Sequence, residues 1–143
     1  SALTRGDALL HDVQMSFELA DRLPSISVDS IQIQQVLLNL VHNAIEALSA
    51  CGMGERRLIV RTRRHDPDEI EVCVIDCGPG VDPAIVERMF EPFCTTKEQG
   101  TGLGLAISKS LVEAHRGRLE YRPNAPRGAC FVMILPAAAD NTR

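Results

Sequence analysis

The sequence has no tryptophan, one tyrosine (Tyr121) and four phenylalanines, an aromatic share of 3%. Its core must therefore be built from aliphatic side chains. Long apolar runs are missing too. None approaches the ~18 residues that a membrane span needs, so a soluble, cytoplasmic chain without direct membrane contact is expected, although a longer parent could be membrane-bound. A basic surplus is absent: 15 Lys and Arg stand against 19 Asp and Glu, a net charge of −4. That excludes a general nucleic-acid surface, though not one small basic pocket. Cysteine is sparse and odd in number, at Cys51, Cys73, Cys77, Cys94 and Cys130. Without a signal peptide or dense spacing, these read as reduced intracellular thiols. Cys73 and Cys77 lie four apart with no matching Cys/His pair, so no zinc site is expected.

At 143 residues one domain is expected. Asp29 to Ser49 carries the longest helical pattern. At about 100° per residue, Ile33, Leu37, Leu40, Val41, Ala44 and Leu48 form its apolar side. Gln35, Asn39, Asn43 and Glu46 form a polar stripe within roughly a quarter of the circumference. Asparagine is a poor helix former because its side chain competes for backbone hydrogen bonds. Two of them one turn apart indicate either an exposed amide-rich face or a polar ligand or metal held there. Asp29 is expected to cap this helix, with Gln32 completing a capping box.

Around this helix, Val13 to Leu19 alternates as a half-buried strand. Arg57 to Arg64 and Glu69 to Asp76 read as an antiparallel hairpin. Asp82-Pro83 opens a short helix, PAIVERMF. Glu91 to Gly102 has no periodicity and reads as a mobile loop. Leu103 to His115 forms a second helix ended by Gly117, and Arg118 to Arg122 a strand. Ala129 to Leu135 is apolar throughout, as a central strand would be. The order β, α, β, β, α, loop, α, β, β predicts a two-layer α/β (α+β) sandwich. Its sheet is mixed, largely antiparallel and of about five strands, with three helices on one face.

Two glycine-rich segments carry candidate chemistry. Gly100-Thr101-Gly102-Leu103-Gly104-Leu105 precedes a helix, whose free N–H groups and dipole suit an anion. A plain hinge is the other reading. Neither the dinucleotide-binding glycine pattern nor the P-loop fits, because Leu105 stands where a third Gly is needed and Ser108 where a P-loop Gly is needed. Asp76-Cys77-Gly78-Pro79-Gly80 offers a strand-end carboxylate and two glycines. It is either a strand-to-helix turn or an acceptor for an exocyclic amine with room for a flat ring.

Taken together, the segments NLVHNAIEAL, VIDCGPG, MFEPF and GTGLGLAISKSLVEAHRG resemble the N, G1, F and G2 boxes of sensor histidine kinase catalytic domains. These domains have the Bergerat ATP-binding fold shared with gyrase, MutL and Hsp90 chaperones. The resemblance spans roughly residues 13–136 and is nearest to the nitrogen- and oxygen-sensing branch. It implies residues 1–12 as a truncated linker from a missing dimerisation domain and 137–143 as a tail.

The implied cofactors are ATP and Mg²⁺. Asn43 would ligate Mg²⁺, and Asn39 would support the metal and the phosphates. Asp76 would bond the adenine amino group, and Gly78 and Gly80 would shape the base pocket beside Ala47. Gly100, Thr101, Gly102, Leu103, Gly104 and Leu105 would close on the phosphates, with Thr96 and Lys97 in the lid. Phe90 and Phe93 would anchor the lid's base. Related ATPases carry a Glu at the position of Asn39, and an amide cannot act as a general base. This favours phosphoryl transfer over hydrolysis. Many relatives carry Lys or Arg where Glu46 stands and Tyr where Ala47 stands, so Lys97 or Arg88 is expected to supply the missing cation.

A phosphoacceptor context is missing: His11-Asp12 begins one, but Ser16 stands where its Pro belongs. The implied function is transfer of the γ-phosphoryl group to a histidine on a separate dimerisation domain, with a response regulator downstream and the isolated domain a monomer. The alternatives are an ATP-binding regulatory module without transfer and a serine kinase of anti-sigma-factor type.

Overall fold

A computed structural model of the chain describes residues 13–49, 56–91, 104–124 and 127–138. In chain order it contains β1 (Gln14–Glu18), α1 (Ser30–Ser49), β2 (Arg57–Asp66), β3 (Glu69–Asp76), α2 (Pro83–Val86), α3 (Gly104–Ala114), β4 (Arg118–Pro123) and β5 (Ala129–Pro136). The strands form one five-stranded sheet in the order β1-β2-β3-β5-β4. Only β1 pairs in parallel, with β2; the other three pairings are antiparallel. The expected two-layer sandwich with a mixed sheet is what forms.

The helices cover one face of the sheet. Val36, Leu40, Ala44, Ile45 and Leu48 of α1 and Val112 of α3 pack on Leu58, Val60, Val74, Met133 and Leu135 of the strands. Each large aliphatic side chain taken fully out of water contributes roughly 1.5–3 kcal/mol. The sequence pattern found most of this set, but Val36 and Ile45, at 0% and 1% exposure, belong to it as well. β5 lies between β3 and β4 and is apolar on both faces, as its unbroken run predicts.

The opposite face carries a second, smaller core of Cys73, Ile75, Val132 and Ile134, with Ile59 and Cys130 packed against it. Among the described residues no helix lies over it; long charged side chains do. Arg61 pairs with Glu18, Arg63 with Glu71, and Arg118 with Glu69 and Glu120. Arg122 pairs with Glu120 and Glu71. Long side chains of this kind can lay their methylene stems on apolar surface while their heads reach water.

Several local expectations are corrected. β1 is an edge strand and is less buried than its alternation suggested: Phe17 is 55% and Leu19 60% exposed. The expected capping box is half formed. Asp29 Oδ1 accepts from the N–H groups of Ile31 and Gln32 at 3.0 and 3.1 Å. The reciprocal bond does not come from Gln32, because the Asp29 N–H donates to Nε2 of His115 at 3.1 Å. The helix after Asp82 is only four residues long. Gly117 does not supply the left-handed end of α3; Arg116 does, at φ 65°. Gly117 is needed for space instead, since a Cβ there would stand 2.3 Å from the Ile134 carbonyl oxygen. The chain also stays tied past β5, with Ala137 N–H donating to Asp68 O and Ala138 N–H to Ser25 O. Among the described residues no helix is long and apolar enough to cross a membrane.

Candidate nucleotide site

Asp76 ends β3 on the face covered by the helices and is 3% exposed. Its Oδ1 accepts two backbone hydrogen bonds, from Gly78 N–H at 2.9 Å and from Ala129 N–H at 3.2 Å. Among the described residues both bonds fall on one oxygen, which leaves Oδ2 for an external donor. Burial pushes the carboxyl pKa above its usual value, and the two N–H groups offset part of that. An unsaturated acceptor in a desolvated place is where an amino group binds with most discrimination, because a wrong partner leaves the acceptor unpaired.

The turn after Asp76 is built to hold that carboxylate. A Cβ on Gly78 would lie 3.1 Å from Asp76 Oδ1 and 3.5 Å from the Ala47 carbonyl oxygen of α1. This glycine therefore seats the turn against both the carboxylate and the helix. Asn124 Nδ2 donates to Asp76 O at 3.1 Å, and Arg127 Nε to Cys77 O at 2.9 Å. Gly128 has φ 116°, and a Cβ there would stand 2.0 Å from Asp76 O. Sequence reasoning missed Gly128, Ala129, Asn124 and Arg127 because it gave residues 123–128 no role and read Ala129 only as the start of a strand. The signal was a Gly directly before a central strand.

On α1, Asn39 and Asn43 are half-buried, as are Glu46 and Ala47. Asn39 Nδ2 donates to Ser108 Oγ of α3 at 3.2 Å, and Ser108 is fully buried. The amide nitrogen is thereby committed and its oxygen is turned to the other side. This bond also ties α1 to the helix that follows the glycine segment. Glu46 pairs with His42 Nδ1 at 2.9 Å on the solvent side of α1. Amide and carboxylate oxygens are the donors that Mg²⁺ accepts, and it keeps waters and phosphate oxygens for the rest of its shell. The donor set on this face suits that ion.

Phe90 meets Phe131 edge-to-face at 6.3 Å, and Tyr121 meets the same ring at 5.5 Å. Lys109 Nζ stands 5.4 Å from the centre of the Phe90 ring. Lys109 is half-buried there. Neighbouring Met89 is 4% exposed. The segment entering the expected lid is thus fastened to the core by Phe90 and Met89. Gly104 and Leu105 open α3, and no heavy atom lies within 4 Å of the place a Gly104 Cβ would take. Phe93, Thr96, Lys97, Gly100, Thr101, Gly102 and Leu103 lie outside the described residues.

Residues 28–139 match the family described as histidine kinase-, DNA gyrase B-, and HSP90-like ATPase. The chain is 41% identical over 140 residues to the sensor protein FixL of Bradyrhizobium diazoefficiens, covering 98% of this chain and 27% of that protein. It is similar to full-length ShkA in complex with AMPPNP, at TM-score 0.82 and 29% identity over 99% of this chain and 29% of that one. It is also similar to the histidine kinase ThkA in complex with the response regulator protein TrrA, at TM-score 0.78 and 27% identity over 96% and 38%. The chain spans under a third of the curated relatives it matches.

Proposed function

The chain belongs to the histidine kinase-, DNA gyrase B-, and HSP90-like ATPase family, and from that premise we propose that it binds Mg·ATP as the catalytic module of a sensor histidine kinase. The observation that carries this reading is Asp76, a desolvated carboxylate with one oxygen fixed by two backbone N–H groups and the other available. That oxygen accepts from the adenine amino group, and the Gly78–Gly80 turn beside Ala47 gives the ring its space. Asn43 ligates the ion and Asn39 supports the phosphates, with its amide oriented by Ser108. Held there, Mg²⁺ would supply positive charge to offset that of the phosphates. The glycine segment from Gly100 to Gly104, with Thr96 and Lys97, closes on the phosphates at the start of α3.

The γ-phosphoryl group goes to a histidine of a separate dimerisation domain rather than to water, since Asn39 cannot act as a general base. Residues 1–12 connect to that domain, and 13–136 form the catalytic unit. A response regulator receives the phosphoryl group downstream, as the ThkA–TrrA complex illustrates for a relative. The module works in the cytoplasm, where ATP is available, and is a monomer in isolation. A second reading, nucleotide binding without transfer, draws on the His42–Glu46 pair, which places an acid where a phosphate-binding cation is common in such kinases.

The test supplies a separate phosphoacceptor domain and γ-labelled ATP with Mg²⁺. Acid-labile label on that domain supports histidine transfer. Acid-stable label points to serine, and bound nucleotide without label to the second reading. Asn43→Ala is expected to abolish Mg²⁺-dependent transfer; unchanged transfer would overturn the role given to Asn43.

A further inference from the structure

The second core holds two thiols that nucleotide chemistry does not use. Cys73 stands opposite Val132, and Cys130 opposite Ile75, in the β3–β5 register. The two cysteines are therefore diagonal neighbours on one face of adjacent strands. Cys73 is 2% exposed, whereas Cys130 is half-buried at the edge of the ion-pair roof. Across β5 from Cys73, Cys130 faces Arg122 of β4 in register. Its backbone neighbour Ala129 donates the N–H that fixes Asp76 Oδ1.

We propose that Cys130 is a modification site, a thiol open to small oxidants and electrophiles, whose oxidation weakens nucleotide binding through the Ala129–Asp76 hydrogen bond. The second half rests on the nucleotide reading above; the first does not. Four charged or thiol groups face Cys130. A hydrogen bond from Cys73 favours its thiolate, burial opposes it, Arg122 and Arg61 favour it and Glu71 opposes it, and the net direction is downward. Cys73 moves the opposite way and keeps its proton. That proton donates to Glu71 Oε2 at 3.1 Å when Cys130 is neutral. Glu71 can release it, because Arg63 and His65 also bond that carboxylate. Cys73 is thus a positioning residue for the Cys130 thiolate.

With hydrogen peroxide as oxidant, the Cys130 thiolate attacks one peroxide oxygen. The S–O bond forms, the O–O bond breaks, and hydroxide leaves and is protonated to water. Sulfur loses two electrons and peroxide gains them. The added oxygen puts polar bulk beside Ile75 and Val132 of the second core, and a shift of the start of β5 that relieves it would move the Ala129 N–H from Asp76.

The experiment uses the 143-residue chain. Iodoacetamide labelling near neutral pH, read by peptide mass spectrometry, is expected to reach Cys130 at least tenfold faster than Cys73. Cys73→Ala should shift the pH profile of Cys130 labelling upward, and Cys73→Ser, which keeps a donor, should restore it. Peroxide followed by dimedone should tag Cys130, and in a separate sample peroxide alone should lower ADP affinity at least fivefold, reversibly with dithiothreitol. Condensation of that sulfenic acid with Cys73, with loss of water, counts as the same oxidation. Cys130→Ser should bind ADP normally and ignore peroxide. Equal labelling of the two thiols, or a pH profile unmoved by Cys73→Ala, overturns the site. Full oxidation with unchanged ADP affinity overturns the coupling. Untreated protein that binds no ADP refutes the nucleotide reading, while the labelling arm still decides on Cys130.

Discussion

Asp76 concentrates the chemistry at the residue scale. Replacing it with Asn keeps an Oδ1 for Gly78 and Ala129 but puts an NH₂ where Oδ2 was. An NH₂ cannot accept from an amino group. Asp76→Asn is therefore expected to fold and to lose at least tenfold in ATP affinity, about 1.4 kcal/mol or more, measured by calorimetric titration. Unchanged affinity would refute the adenine contact. Gly128→Ala tests the support behind it. The new Cβ would meet Asp76 O at 2.0 Å, and the backbone has φ 116°. A loss of about 2–4 kcal/mol in urea unfolding is expected. Asp76, Gly78 and Gly80 were legible because they are adjacent in sequence. The residues behind them, Asn124, Arg127, Gly128 and Ala129, were not. They arrive from roughly fifty positions away, and no local pattern records contacts in which one partner is a backbone group.

At the scale of the element, α1 was the most legible part, since a 20-residue amphipathic repeat over-determines its own period. Its N-terminus was read only in part. The Asp29 side chain caps the helix, but the Asp29 N–H is satisfied by His115 at the end of α3. His115 Nδ1 in turn contacts Leu111 O at 2.8 Å. A donor Nδ1 and an acceptor Nε2 specify the neutral ring with its proton on Nδ1. His115→Ala should cost about 1 kcal/mol in thermal or urea unfolding, and Asp29→Ala about the same. If the two caps act through the shared Asp29 backbone, a double-mutant cycle will show coupling. Edge strand β1 was less legible: its alternation predicts two faces, but an edge beyond the helices has only one neighbour to bury against.

For the whole molecule, the sheet's outer face sets the acid response. Burial would raise the pKa of Glu71, but the Cys73 thiol, the hydrogen bond and charge of Arg63, and His65 outweigh it, and the net direction is downward. A carboxylate with a depressed folded pKa contributes stability that is present above its unfolded pKa and lost as pH falls through the folded one. The wild type should thus lose stability faster than Glu71→Gln as pH drops below ~4.5, seen as a steeper fall of the unfolding midpoint. Equal slopes would contradict the assignment. The layer order and the central place of β5 were readable from hydrophobic runs. This second core was not, because arginines in a strand read as a solvent face, and only the strand register sets Arg61 beside Cys73 and Arg118 beside Ile134.

The sheet order also dictates when the site comes into being during synthesis. β2 and β3 can pair as soon as both have emerged, since only a tight turn separates them. The Asp76 carboxylate then sits at the rim of a hairpin, wet on one side, with Gly78 as its sole backbone donor. The second donor, Ala129, follows 53 residues later, on the last strand of this sheet in chain order. A nascent chain stopped before that strand would have the motifs and no formed acceptor. Nucleotide binding by arrested chains of increasing length should accordingly switch on at β5 rather than rise gradually with each motif translated.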